Sequence, residues 1–556
     1  MLGALDQGGS MSETNGHVDV DVVVIGAGFS GLYQLHRLRQ AGFTARVLEA
    51  GSGVGGTWYW NRYPGARCDI SSLEYSYGFD EDLEQEWEWS ERYATQAEIL
   101  RYLEHVADRF DLRRDIQLDT RVTAATFDEG STTWTVETEA GEQLRSRFVI
   151  AATGCLSSAN VPEIPGRDDF QGEWYHTGRW PHDGVDFTGK RVAVIGTGSS
   201  AVQSIPIIAE QADDLTVFQR TPTYAVPAHN HPLSPELQAR VKARYREIRA
   251  ENRMSGAGFG AILPLPAGEQ MLAELPPEEV RRILDERWEE GGLPFLGGFA
   301  DTLISPEANE VVAEYVRDRI RSIVQDPETA ELLCPTQVIG CKRLCVDTGY
   351  YETFNRPNVH LVDISGSGIE AITPTGVRAN GREHPVDIIV FATGFDAMTG
   401  ALSKIRITGR DGLTLTEAWR EGPKTYLGLG VAGFPNLFLV TGPGSPSVLT
   451  NMVTSIEHHV EWITDCLVYL RTEGVDRIEA ASEAAEQWVE YVNAVAGFTL
   501  FPTCNSWYLG ANIPGKPRVF MPLPGLGPYV EQCAAIAAQG YQGFVLGHPV
   551  AEPALA

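Results

Sequence analysis

Hydrophobic residues fall along this chain in short runs that change period at glycines. The stretch VDVDVVVIG, residues 18–26, has the length of a buried strand, and beyond it Leu32, Leu35 and Leu38 return at helical spacing. A second apolar run, ARVLE, ends in Glu49 and completes a strand–helix–strand unit. The same order recurs in KRVAVIGTGSSAVQSIPIIAEQADDLTVFQRTP, residues 190–222. Two more runs, RFVIAATG (147–154) and DIIVFATG (387–394), close on one tripeptide and bracket the second unit. That unit is therefore expected to be inserted into the domain built on the first.

Between 230 and 330 the pattern turns helical. Ser234-Pro235-Glu236 and Ser305-Pro306-Glu307 each offer a serine N-cap with proline and glutamate in the first turn, and amphipathic runs follow. Residues 255–268, SGAGFGAILPLPAG, read as a mobile loop. The expected fold class is α/β, with two Rossmann-like dinucleotide-binding domains, the second inserted in the first, and a helical subdomain. The first domain is expected over 17–154 and 390–545, the second over 155–229 and 331–389, the helical subdomain over 230–330, and a disordered tail over 1–16.

Charge narrows the partners. A net charge of −30 disfavours nucleic acid and anionic membranes, since both demand a basic surface. No apolar run approaches the roughly 18 residues of a spanning helix. Residues 1–16 have neither the cationic start nor the apolar core of a signal peptide. Eight cysteines scattered through 556 residues fit a reducing compartment, and no zinc spacing occurs. A monomeric cytoplasmic protein without a metal is expected, with Cys341 and Cys345 of GCKRLC as two structural thiols.

The glycine turns carry the first chemistry. In Gly26-x-Gly28-x-x-Gly31 the first glycine makes the turn, the second admits a pyrophosphate to the helix N-terminus, and the third lets helix and strand pack. Glu49 is placed to accept from a ribose hydroxyl. The second turn reads Gly196-x-Gly198-x-x-Ala201, and where Glu49 stands in the first unit the second has Gln219 followed by Arg220. A carboxylate there would repel a 2′-phosphate, and an arginine attracts one. Two dinucleotide sites imply electron traffic between two cofactors, FAD at the first and NADPH at the second.

The segments GGTWYWNRYPGARCD (55–69), FQGEWYHTGRWP (170–181) and GTGSSA (196–201) together resemble the type I Baeyer–Villiger monooxygenases, with the spacing Phe170-x-Gly172-x-x-x-His176-x-x-x-Trp180 as fingerprint. The likeness runs from about Val20 to Gly547 and is nearest to the phenylacetone and steroid monooxygenase branch. It implies a reaction in which NADPH reduces FAD, O2 adds at flavin C4a, and the peroxide attacks a ketone to give an ester or lactone. It assigns Arg343 to the anionic oxygen, because a guanidinium stays charged and can hold two oxygens, and places Asp69 opposite it.

The resemblance further implies FAD contacts at Ser30, Gly56, Thr57, Trp58, Asp69, Tyr75, Val122 and Met452. It implies NADPH contacts at Arg67, Thr197, Ser199, Ser200, Gln203, Thr221, Lys342 and Trp507, with Arg220 and Lys342 at the 2′-phosphate. Ser447, Val448 and Leu449 match a pocket-lining loop suited to a bulky apolar ketone. His176 lies between two strands rather than at a catalytic strand end, so its motif is expected to be a joint that couples NADPH binding to domain position, with Trp180 packing it. Three rival readings stay open: a sulfur- or nitrogen-oxygenating flavin enzyme, a flavin disulfide reductase, and a flavin-bearing sensor.

Overall fold

The computed structural model describes residues 18–547, so the tail expected over 1–16 lies outside the described residues. Val20–Ile25 is the inner strand of the first sheet. It pairs in parallel with Ala45–Leu48 and Gln143–Ala151, which sets Val24 beside both Val47 and Ile150. Val22, Val23 and Val24 are all fully buried, as a strand covered on both faces requires. Antiparallel strands Thr133–Thr138 and Val122–Asp128 extend the sheet, and chain from much later joins it: Arg406–Thr408 pairs with Val122–Asp128, and Leu437–Leu439 with Gln143–Ala151.

The second sheet has five strands, all parallel, in the order Val359–Asp363, Asp214–Gln219, Arg191–Ile195, Ile388–Phe391, Glu173–His176. The two Ala-Thr-Gly runs thus belong to different sheets. Their shared chemistry has a steric cause. Gly26 and Gly196 adopt φ of 106° and 110°, and a Cβ on either would lie 2.6 Å from the Ala152 carbonyl oxygen or 2.5 Å from that of Ala392. Each alanine of an Ala-Thr-Gly therefore presses its backbone on the first glycine of the nucleotide turn in its own sheet.

The serine caps form as the sequence dictates. Ser234 accepts from Leu237 N–H and Ser305 from Ala308 N–H, both at 3.1 Å, each contributing about 1 kcal/mol to its helix. The first amphipathic run breaks into Pro235–Lys242 and Tyr245–Met254, and the second gives Pro306–Ile323. These helices share no core of their own. Leu233, Val241, Tyr245 and Ile248 pack with the core of the first sheet, while Val280, Leu284, Trp288 and Val312 pack with that of the second. The 230–330 region is a clamp laid across both sheets. No helix among the described residues is long and apolar enough to cross a membrane.

Candidate active site and nucleotide cradles

Both nucleotide turns end in a helix whose first residue follows glycine. The helices Phe29–Gln40 and Ser199–Gln211 start at Gly28 and Gly198 with no side-chain cap, which leaves their first N–H groups open to an anion. Gly31 cannot be replaced, because its Cβ would fall 1.8 Å from the Gly26 oxygen. Gly28 faces Gly56 across a gap that a Cβ on Gly56 would close to 2.8 Å, whereas a Cβ on Gly198 meets nothing within 4 Å. These bare backbone surfaces fit a pyrophosphate.

Glu49 is buried, and its two oxygens each accept a backbone N–H, from Ala27 and Gly51, both at 2.7 Å. Burial pushes its carboxyl upward and these bonds oppose that shift. Each oxygen keeps a lone pair for a ribose hydroxyl. Among the other residues expected at the flavin, Ser30 is buried in the first helical turn, Thr57 is exposed, and Met452 opens the helix Met452–Glu473. The Trp58 indole donates to the Tyr75 hydroxyl at 3.3 Å. The Val122 side chain packs into the core with Ile25 and Ala151.

In the second cradle the Thr197 hydroxyl donates to Thr221 O at 2.8 Å, and Ser199 lies 3.3 Å from the Cys345 sulfur. Gln219 is turned inward, donating to Leu332 O at 2.6 Å, so the neutral residue does not face the cradle. The positive charge comes from elsewhere. Burial pulls the Lys342 ammonium down, and the nearby Arg220 guanidinium pulls it further. Two cations held close together, neither ion-paired to a carboxylate among the described residues, suit a phosphate.

Gln203 joins the two halves rather than facing outward: its amide accepts from Tyr63 at 2.8 Å and donates to Arg67 O at 3.1 Å. The Arg67 guanidinium donates to Tyr93 O at 3.1 Å, and its buried Nε has no partner.

Arg343 and Asp69 meet although 274 residues separate them. Arg343 Nε donates to Asp69 Oδ2 at 2.9 Å and Nη2 to Oδ1 at 2.8 Å, the two-pronged geometry of a strong pair. Burial pulls the guanidinium down, and the Asp69 charge and hydrogen bonds outweigh it, so the group ends above its ordinary value and stays charged. Nη1 donates to Val448 O at 3.0 Å, bringing the expected pocket loop to the guanidinium. Val448 is buried and Leu449 half-buried beside it; Ser447 is fully buried, its hydroxyl turned toward Thr441 O at 3.5 Å, and so does not line an open pocket. Tyr508, buried next to half-buried Trp507, shares a hydrogen bond with Arg343, a neighbour that the SWYLGAN motif contains but that its pattern does not single out.

His176 ends the edge strand Glu173–His176, opposite Phe391. Its Nδ1 accepts from Gly178 N–H at 2.9 Å, which puts the ring proton on Nε2, 3.4 Å from the Thr393 hydroxyl. Burial first, then Arg179, lowers its pKa to about 4. The ring is neutral at working pH and occupied on both sides. Thr177 reaches Ser200 of the second cradle at 3.2 Å, Trp180 is buried near Tyr175 and Phe187, and a Cβ on Gly172 would strike Phe170.

One reading of the cysteines is corrected. Cys341 is not a free thiol beside Cys345; it is disulfide-bonded to Cys504, while Cys345 is free and buried. A bond across 163 positions leaves no local spacing to read. It also leaves no cysteine pair of the kind the disulfide reductase reading needs.

The family described as pyridine nucleotide-disulphide oxidoreductase matches residues 23–257. A Baeyer–Villiger monooxygenase of Pseudooceanicola batsensis is 42% identical over 95% of this chain and 96% of its own. A phenazine N-monooxygenase of Lysobacter antibioticus is also 42% identical, over 96% of this chain and 98% of its own. The structure of an oxidised steroid monooxygenase bound to NADP superposes with a TM-score of 0.90 at 53% identity, covering 95% of this chain and 99% of that one. The chain belongs to the type I Baeyer–Villiger monooxygenases. FAD and NADPH are its cofactors, and its reaction inserts one oxygen of O2 beside a ketone carbonyl to give an ester or lactone.

Proposed function

We propose that Arg343 is the residue that holds the negative charge developing on oxygen during transfer to the ketone, with Asp69 as its positioning residue and Val448 and Leu449 presenting a bulky apolar ketone to it. The observation that carries this reading is the Arg343 fork, fixed by Asp69 on one side and by the Val448 carbonyl on the other. FAD, when bound, supplies the redox chemistry with O2. The protein's part is electrostatic: a guanidinium already oriented and charged loses nothing to reorganisation when charge appears. A guanidinium has five N–H donors, so after Asp69, the Val448 carbonyl and Tyr508 one remains for substrate oxygen. Leu449 and the buried Val448 keep that corner dry, which strengthens every charge interaction there.

The identity to a steroid monooxygenase supports a bulky cyclic or aryl ketone, and the phenazine N-monooxygenase keeps heteroatom oxygenation as the second reading. Purified enzyme with NADPH and O2 should convert at least one of a monocyclic, an aryl and a steroid ketone to a product one oxygen heavier. NADPH oxidation indifferent to every ketone, with N-oxide or sulfoxide formed instead, would overturn the ketone reading.

His176 we assign to coupling. Its ring fastens the edge strand to Gly178 and Thr393, and the next residue touches the NADPH cradle. His176→Ala should retain FAD yet divert several-fold more NADPH into hydrogen peroxide. Because the neutral ring persists down to about pH 4, wild-type coupling should not titrate on its account near neutrality. An unchanged ratio of peroxide to ester in the variant argues against the assignment.

A further inference from the structure

The segment 498–506 precedes Trp507 and Tyr508 and is lightly held. Among the described residues, a single hydrogen bond joins it to anything beyond its immediate neighbours, from Leu500 N–H to Leu303 O at 2.8 Å. Pro502, Thr503 and Asn505 are exposed, and Phe498 is 81% exposed. Phe501 leans on Tyr508 and Phe520, with ring centroids 5.9 Å away in both cases. Against this loose packing stands one covalent tie, Cys504 to Cys341. Cys341 is fully buried and immediately precedes Lys342 and Arg343, and the turn that carries it is pinned where Ile339 exchanges two hydrogen bonds with Asn309, at 3.0 and 2.9 Å. The bridge therefore runs from a fixed loop bearing both functional cations to a loose segment that leads directly into Trp507 and into Tyr508, which shares a hydrogen bond with Arg343.

We propose that the Cys341–Cys504 disulfide is a redox latch: closed, it holds Tyr508, with Trp507 packed beside it, against Arg343 of the Arg343–Asp69 pair, and opened by a dithiol it frees the segment and lets oxygen chemistry leak to hydrogen peroxide. This rests on the assignment of Arg343 above. Half-exposed Cys504 is the reachable sulfur, and buried Cys341 is the one next in the chain to Lys342 and Arg343. A dithiol's thiolate attacks the Cys504 sulfur, the S–S bond breaks, and its electron pair leaves on Cys341, which takes a proton from solvent or buffer as it becomes a thiol. The dithiol's second thiol then displaces Cys504 and departs as a cyclic disulfide. Two electrons and two protons have passed to the protein, and glutathione disulfide reverses the exchange.

The test uses the holoenzyme, oxidised or treated anaerobically with dithiothreitol that is then removed. Alkylation followed by intact mass counts thiols, and hydrogen peroxide and ester formed per NADPH are measured with one converted ketone. Reduction should expose two more thiols and raise the peroxide-to-ester ratio several-fold, and glutathione disulfide should restore it. Cys504→Ser and Cys341→Ser should show the raised ratio in every redox state. Two thiols gained with an unchanged ratio overturns the latch, as does finding all eight cysteines alkylated before reduction. Failure of the Arg343 assignment would look different: Arg343→Ala would still make ester at a normal rate whatever the thiol state.

Discussion

Replacing Arg343 by alanine should cut ester formation by a factor of about 10²–10³, while the protein still binds FAD and still oxidises NADPH. Removing one preorganised donor to an oxyanion typically costs 10²–10³ in rate, and Arg343 is the charged group that Asp69 and the Val448 carbonyl aim at the pocket loop. The glycine cradles lie on other elements, so flavin absorbance and NADPH consumption should survive, with hydrogen peroxide replacing ester. Stability should fall by about 1–3 kcal/mol, because Asp69 loses its partner in a site where it is only 26% exposed. Arg343→Lys separates charge from shape. A lysine keeps the charge but cannot span both Asp69 oxygens, so it should recover under about a tenth of the ester rate. Ester formation at a normal rate by either variant removes Arg343 from the mechanism.

The cradles were legible because their chemistry is local. A strand, three glycines at fixed spacing and a helix lie within one βαβ unit, and Gly31 against the Gly26 oxygen shows why no other residue serves. The Ala-Thr-Gly repeats were visible as strand ends, but their steric partnership with Gly26 and Gly196 needs the sheet register. The Arg343–Asp69 pair could not come from spacing, since nothing across a separation of 274 in sequence links a GCKR turn to an RCD turn. Family likeness supplied it. Amphipathic periodicity around 230–330 announced that one face of each helix is buried without saying against what, and the answer is two different cores. Gln219 shows the reverse failure: its position in the sequence suggested the cradle, and its side chain points to Leu332 instead.

With Gln219 turned away, we assign the choice of NADPH over NADH to Arg220 and Lys342, and their removal should have the second largest effect. Arg220→Ala or Lys342→Ala should raise the NADPH KM by roughly tenfold to a hundredfold each, the scale of one lost hydrogen bond between charged groups at about 1.5–3 kcal/mol, and leave the NADH KM nearly unchanged. A purely structural role for these side chains predicts something else. Lys342 sits lowered by burial and by Arg220's like charge, so without a phosphate between them the two cations repel. Deleting either should therefore leave the thermal midpoint of the NADPH-free protein unchanged or slightly raised, while the stabilisation that added NADP+ confers falls. If the midpoint of the nucleotide-free variant drops and NADH suffers as much as NADPH, the two residues hold the fold and the selectivity lies elsewhere in the second cradle.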